Sequence, residues 1–191
     1  MSSLPHKLII IAAPSGAGKT SIVKHLLATL PEQLGFSVSC ATRAPRAQET
    51  HGVDYYFISA QEFTQRISAG EFAEWEMVYE GKYYGTLHSE LERIWSLQQT
   101  PLLDIDVKGG LRIKAQYPQS LSIFIEPPSL AVLRERLAAR GTETDATLQM
   151  RLAKAKEECS YRDRFDHIII NDHLSEACAR VLQLVRDYVA R

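Results

Sequence analysis

The chain has 191 residues, enough for one compact domain that buries a full hydrophobic core. Its net charge of −1, with 45% apolar and 24% charged residues, excludes a global basic field for holding nucleic acid. Any anion site therefore has to be local. Three scattered cysteines and no apolar run of membrane-spanning length predict a cytoplasmic protein without a membrane segment.

The first element predicted is a strand at residues 8–12, followed by a glycine-rich loop and a helix that Pro31 ends. The loop consists of Ala13, Pro14, Ser15, Gly16, Ala17, Gly18, Lys19 and Thr20. Strand, glycine-rich loop and helix in this order are typical of a phosphate-binding loop, whose backbone N–H groups approach phosphate oxygens. Lys19 can reach the β- and γ-phosphates, and the Thr20 hydroxyl can ligate Mg²⁺. The loop therefore predicts a nucleoside triphosphate site.

Strands and helices then alternate to the end of the chain. Further strands are predicted at 36–40, 55–58, 72–79, 82–84, 101–107, 121–126 and 167–170. Further helices are predicted at 61–69, 89–99, 130–140 and 146–160 and from residue 174 onward. Alternation of this kind predicts an α/β domain of the P-loop NTPase fold, with a central parallel sheet flanked by helices.

Two stretches interrupt the alternation. Residues 36–88 are polar and strand-rich, and residues 127–160 are helical and rich in arginine. Substrate lobes and lids are commonly inserted in this way. We therefore expect a core formed by residues 1–35, 89–126 and 161–191, with a substrate-binding lobe and a lid.

Acidic and basic side chains mark further candidate positions. Asp104 and Asp106 lie near the C-terminal end of a predicted buried strand, where open α/β sheets bind ligands. Burying carboxylates there is costly unless a magnesium ion, its waters or a substrate faces them. Arg43 and Arg46, three residues apart around Pro45, could converge on one anion. More arginines surround the Gly141 loop, at positions 134, 136, 140 and 151.

Taken together, these residues resemble the guanylate kinase family over nearly the whole chain. The resemblance rests on Ala-Pro-Ser-Gly-Ala-Gly-Lys-Thr at 13–20, Thr-Arg-Ala-Pro-Arg at 42–46, Glu-Phe-Ala-Glu-Trp at 71–75, Tyr-Tyr-Gly-Thr at 83–86, Leu-Asp-Ile-Asp at 103–106, Arg-Gly-Thr at 140–142 and Ile-Asn-Asp at 170–172. The chain departs from the usual pattern at Ala41, Gln48, Lys108 and His173. None of the four removes a group assigned to phosphate or guanine.

The resemblance implies ATP-dependent phosphorylation of GMP, and of dGMP, with Mg²⁺. It implies that the GMP phosphate is held by Ser39, Arg43, Arg46, Tyr55 and Tyr84, and the guanine by Glu74, Thr86 and Asp106. It assigns Arg136, Arg140 and Arg151 to the lid and to catalysis with Lys19 and Arg43, Asn171 to the adenine, and Asp104 to magnesium through water. No general base is implied, because the acceptor phosphate oxygen is already anionic near pH 7.

Two alternatives stay open from the sequence. A related kinase with a similar phosphate loop could act on a sugar phosphate such as ribose bisphosphate. A non-catalytic guanylate-kinase-like module would bind phosphopeptides, although such modules typically lose the lysine that is present here as Lys19. No nucleic-acid or membrane partner is expected, and a homo-oligomer is compatible with the sequence.

Overall fold

Two β-sheets organise the computed structural model, which describes residues 7–139 and 144–190. In chain order the elements are β1 (Ile9–Ala12), α1 (Lys19–Thr29), β2 (Leu34–Phe36), β3 (Cys40–Ala41), β4 (Tyr56–Phe57), α2 (Ala60–Ser68), β5 (Phe72–Tyr79), β6 (Lys82–Leu87), α3 (His88–Ser96), β7 (Thr100–Ile105), α4 (Val107–Gln116), β8 (Leu121–Glu126), α5 (Leu130–Ala138), α6 (Asp145–Cys159), β9 (His167–Ile170) and α7 (Leu174–Val189). A 3₁₀ turn at Arg162–Arg164 precedes β9.

The central sheet is parallel, with the strand order β2-β7-β1-β8-β9. Both of its faces are covered by helices, which explains why β1 is apolar at every position. Ile9 and Ile11 face the layer that contains α1 and α7. Leu8, Ile10 and Ala12 face the opposite layer, which contains α3 and α4. This arrangement confirms the predicted α/β class with a parallel sheet flanked by helices.

The second sheet, of order β4-β3-β6-β5, corrects the strand predicted at 36–40. Leu34–Phe36 pairs with β7 in the central sheet, whereas Cys40–Ala41 pairs with β6 in the second sheet. Between them the chain crosses from one sheet to the other. The Val38 N–H donates to a carboxylate oxygen of buried Glu90 at 3.0 Å, which satisfies the backbone at the crossing.

The sequence patterns miss helix α4, since they predict one strand over residues 101–107 and no helix after it. The strand ends at Ile105, and Asp106 caps the helix that follows. One Asp106 oxygen accepts from the backbone N–H groups of Lys108 at 2.9 Å and Gly109 at 3.1 Å. Two adjacent glycines, Gly109 and Gly110, weaken the local helical signal because glycine has low helix propensity.

Helices α5 and α6 pack together around a small apolar cluster of their own, made of Leu133, Leu137, Leu148 and Ala155. The segment between them, residues 140–143, lies outside the described residues, so the predicted Arg140 lies outside them too. Helix α6 begins at a capping box formed by Thr144 and Thr147. Across residues 7–139 and 144–190, every helix falls short of the length and apolar character that crossing a membrane requires.

Candidate active site

A cleft opens at the carboxyl edge of the central sheet, between that edge, the second sheet and α6. The predicted site residues that line it are Ala13, Pro14, Ser15, Gly16, Gly18, Lys19, Thr20, Ser39, Arg43, Arg46, Tyr55, Glu74, Tyr84, Asp104, Asp106 and Arg151. Ala17, Thr86, Arg136 and Asn171 lie behind this lining. The fold therefore brings together residues from five separate parts of the sequence.

The phosphate loop is supported from behind by Asn171. Gly18 has a left-handed φ of +94°, and a Cβ there would lie 2.2 Å from the Asn171 side-chain nitrogen. That nitrogen donates to the Ala17 carbonyl at 2.7 Å. Arg136 in turn donates to the Asn171 carbonyl at 2.9 Å and to that of Asp172 at 3.2 Å. In this structure Asn171 and Arg136 thus hold the loop, and their contacts with ATP stay predictions.

Lys19, Thr20 and Asp104 meet at the start of α1. The Lys19 ammonium donates to one Asp104 oxygen, and the Thr20 hydroxyl lies 3.4 Å from the other. A carboxylate beside a hydroxyl offers the hard oxygen donors that Mg²⁺ prefers. Among the described residues no group of three or more His, Cys, Asp or Glu could hold a metal. This donor set fits an ion held by few protein atoms together with phosphates and water.

A cationic cluster lines the opposite wall of the cleft. The Arg43 guanidinium donates through Nε to the Tyr84 hydroxyl at 3.1 Å, and its carbon lies 5.0 Å from the Tyr55 ring centre. Its two terminal nitrogens reach the Glu49 carboxylate at 2.5 and 2.6 Å. This pairing raises the pKa of Arg43 and lowers the pKa of Glu49. The Arg46 side chain is 67% exposed and remains accessible to a ligand.

Glu49 is a residue that sequence reasoning missed. It is part of neither the arginine motif nor a regular element, so no periodicity places it beside Arg43. The only sequence signal is its position three residues after Arg46, within reach across a turn.

The next group contains three predicted guanine-binding residues. Glu74 on β5 is 4% exposed and accepts a hydrogen bond from Thr86 on β6 at 2.7 Å. Burial, and then the nearby Asp106 carboxylate, raise the pKa of Glu74 to about 7. Helix α4 approaches so closely that a Cβ on Gly109 would lie 2.6 Å from a Glu74 oxygen. A buried carboxylate at the wall of a cleft, with a hydroxyl beside it, is suited to accept hydrogen bonds from the donor groups of a ligand.

Helix α6 covers the cleft through a row of side chains on one face. Arg151 lies 3.2 Å from the Ser15 hydroxyl of the phosphate loop. Tyr79 of β5 lies beneath Arg151 and Lys154, whose charged groups are 5.8 and 4.6 Å from its ring centre. Glu158 lines the cleft as well, and burial raises its pKa to about 7. The spacing of Arg151, Lys154 and Glu158 is helical, a signal that could have identified the last two from the sequence.

These features define an α/β nucleotide-binding protein with a phosphate-binding loop and a second wall that carries Arg43 and Arg46. The family model described as guanylate kinase matches residues 5–188. The chain belongs to the guanylate kinase family. Its predicted family and fold are thereby confirmed.

Relatives and a solved structure agree with this assignment. A guanylate kinase of Bacteroides fragilis is 45% identical over 184 residues, covering 96% of this chain and 90% of that protein. A guanylate kinase of Thermotoga maritima is 45% identical over 185 residues, covering 97% and 88%. The crystal structure of guanylate kinase from Anaplasma phagocytophilum superposes with a TM-score of 0.75 at 29% identity, covering 96% of this chain and 86% of that one.

Proposed function

We propose that this protein transfers the γ-phosphoryl group of ATP to the phosphate of GMP, giving ADP and GDP, and that dGMP is a second acceptor. The observation that carries the proposal is one cleft with two anion-binding walls. The loop with Lys19 forms one wall, and Arg43 and Arg46 form the other. The family match favours this reaction over a sugar-phosphate kinase or a non-catalytic module.

The acceptor site binds a guanine nucleotide. Guanine presents N1–H and N2–H donors beside an O6 acceptor, which match the Glu74 carboxylate and the Thr86 hydroxyl, with Asp106 nearby. Adenine would leave the buried carboxylate without a partner, a mismatch that discriminates strongly. Ser39, Arg43, Arg46, Tyr55 and Tyr84 hold the phosphate of GMP.

The donor side binds ATP. The phosphate loop binds the phosphates, and Asn171 supports that loop through the Ala17 carbonyl. The assignment of Asn171 to the adenine rests on the family resemblance alone. Arg136, Arg140 and Arg151 belong to the lid, with Arg140 assigned from the sequence alone. In this division residues 36–88 form the acceptor lobe and residues 127–160 the lid.

Transfer depends on positioning and charge. An oxygen of the GMP phosphate attacks the γ-phosphorus, and the bond from that phosphorus to the bridging oxygen breaks, leaving ADP. No residue has to remove a proton, because the second phosphate pKa is about 6. Lys19 leaves Asp104 for the donor phosphates, while Arg43 and Arg46 neutralise the acceptor. Thr20, and Asp104 through water, would hold Mg²⁺, and the ion would supply charge neutralisation of the phosphates.

A coupled ADP-release assay over GMP, dGMP, AMP, UMP, CMP and ribose bisphosphate tests the proposal. We expect turnover with GMP and dGMP, and at least a hundredfold lower kcat/KM with the other acceptors, because a missing buried hydrogen-bond match is costly. Lys19→Ala should abolish turnover while GMP still binds, since Lys19 lies on the donor wall. Preferred turnover of ribose bisphosphate, or GMP binding by the wild type without turnover, would contradict the proposal.

A further inference from the structure

One carboxylate, Glu49, pairs with the first arginine of the proposed acceptor-phosphate site. The Glu49 carboxylate accepts hydrogen bonds from both terminal nitrogens of Arg43, at 2.5 and 2.6 Å, in a bidentate ion pair. Both side chains are largely buried, with 11% of Arg43 and 15% of Glu49 exposed. A pair of this geometry is much more strongly directional than an exposed surface ion pair.

The same carboxylate also reaches the second arginine of the site. An oxygen of Glu49 accepts the backbone N–H of Arg46 at 2.8 Å, and the Glu49 N–H donates to the Arg46 carbonyl at 3.0 Å. The Arg46 guanidinium stays 3.9 Å from Glu49 and mostly exposed. Glu49 thus fixes the side chain of the first arginine and the backbone of the second.

The hydrogen bonds that Arg43 already makes show which of its N–H groups remain for a ligand. Its Nε–H points to the Tyr84 hydroxyl, and Nη1 serves both Glu49 and the Ala44 carbonyl. Nη2 gives one hydrogen to Glu49. Among the contacts of the described residues, one N–H of Nη2 remains for a phosphate, in a direction that the carboxylate sets because the guanidinium is planar.

We infer that Glu49 is a positioning residue for the acceptor phosphate: it stays paired with Arg43 when the nucleotide binds and aims Arg43 and Tyr84 at the phosphate. The inference rests on the proposed function. The alternative is that Glu49 imitates the phosphate and must be displaced by it. Displacement would strand a largely buried carboxylate that has lost its ion pair, which is strongly unfavourable. Retention keeps every contact of Glu49 and leaves one N–H of Arg43, together with the exposed Arg46 guanidinium, for the phosphate.

The two roles of Glu49 predict opposite signs for Glu49→Gln, which keeps the size and one acceptor oxygen. We expect the KM and the directly measured Kd for GMP to rise at least tenfold, with kcat and the KM for ATP within twofold of wild type. The Ki of guanosine, which lacks the phosphate, should stay unchanged. Glu49→Asp, which keeps the charge, should recover part of the loss.

Glu62→Gln is the matched control, because Glu62 pairs with Arg66 at 2.9 Å outside the cleft. It should leave the KM and Kd for GMP unchanged. Tighter binding of GMP by Glu49→Gln would overturn the inference in favour of a phosphate imitator. Equal losses for GMP and guanosine would overturn it in favour of a purely structural role. Unchanged binding of GMP by Glu49→Gln would also overturn the inference.

A wild-type protein that fails to phosphorylate GMP would contradict the proposed function instead. Binding of inorganic phosphate, measured by calorimetry on wild type and Glu49→Gln, then still tests the inference without any nucleotide. Weaker phosphate binding by the variant supports the positioning role, and equal or tighter binding overturns it.

Discussion

Glu74 is a carboxylate buried at the wall of the cleft. Its pKa is raised to about 7, mainly by burial and further by Asp106, while the hydrogen bond from Thr86 favours the charged form. A group that is half ionised near neutral pH is costly to the fold when charged. The same charge is what two guanine donors would pair with. Under the proposed function, Glu74 would therefore connect the stability of this protein to its selectivity.

Glu74→Gln tests this connection through the pH dependence of GMP binding. Protonated Glu74 is a poor acceptor for two donors, so the KM for GMP should fall as the pH rises through about 7 in the wild type. The glutamine variant should lose this part of the profile and show at least tenfold weaker preference for GMP over AMP. KM values for both nucleotides from pH 5.5 to 8.5 measure it. An unchanged profile and preference would remove Glu74 from the base-reading group.

The same substitution, which should weaken the preference for GMP, should raise the stability of the fold. The folded pKa of Glu74 lies above its unfolded value of 4.5, so the stability it contributes is full below that value and is lost as the pH rises through about 7. Glu74→Gln has no charge to bury, and Thr86 can still donate to it. The free energy of unfolding of this variant should therefore exceed that of the wild type at pH 8. The difference is up to about 3 kcal/mol, at 1.36 kcal/mol per pKa unit. At pH 4 the two proteins should differ little.

At the scale of elements, the central strands and most helices could be predicted because their patterns are local. The hairpin of β5 and β6 and the strands β8 and β9 follow directly from apolar runs and turn residues. Helix α4 could not be predicted, because Gly109 and Gly110 weaken its signal and its cap, Asp106, resembled a strand end. The pairing of Arg43 with Glu49 could not be predicted either, since irregular loops have no fixed spacing between neighbours.

Gly109, in the first turn of α4, connects helix packing to the proposed guanine-binding residue Glu74. A Cβ at Gly109 would lie 2.6 Å from one Glu74 oxygen, while Thr86 donates to the other, so Gly109→Ala must shift the Glu74 carboxylate. Alanine favours the helix by about 1 kcal/mol, which offsets part of the cost. We expect a small change in melting temperature but a KM for GMP raised at least fivefold, with the KM for ATP unchanged. Steady-state kinetics with both substrates measure this.

Gly110→Ala is the matched control, one residue further along α4. A Cβ there would meet Ile10 at 3.1 Å and Phe165 at 3.4 Å, in the apolar core and away from Glu74. This variant should alter melting temperature without altering the KM for GMP. Equal effects of the two substitutions on the KM would mean that helix stability, and not the space beside Glu74, governs acceptor binding.

For the whole molecule, α6 is the element that joins the separate parts around the cleft. Arg151 contacts Ser15 of the phosphate loop, and Lys154 donates to the Val78 carbonyl of the second sheet. Lys108 at the start of α4 pairs with Glu157 at 2.9 Å. That last pair is about half exposed and contributes little to stability. The contacts between α6 and the second sheet therefore include the Val78 carbonyl and the aromatic ring of Tyr79, which lies under two cations.

Tyr79→Leu tests whether this contact matters for turnover. The ring carries Arg151 and Lys154 at 5.8 and 4.6 Å, and cation–π contacts contribute about 0.5–2 kcal/mol. If closure of α6 over the cleft limits the reaction, kcat should fall about 2- to 30-fold, and the α6 amides should exchange hydrogen faster. Tyr79→Phe keeps the ring and should stay close to wild type in both measurements. Equal losses in the leucine and phenylalanine variants would assign the effect to the hydroxyl. Wild-type kinetics in both variants would show that the contact of α6 with Tyr79 does not govern turnover.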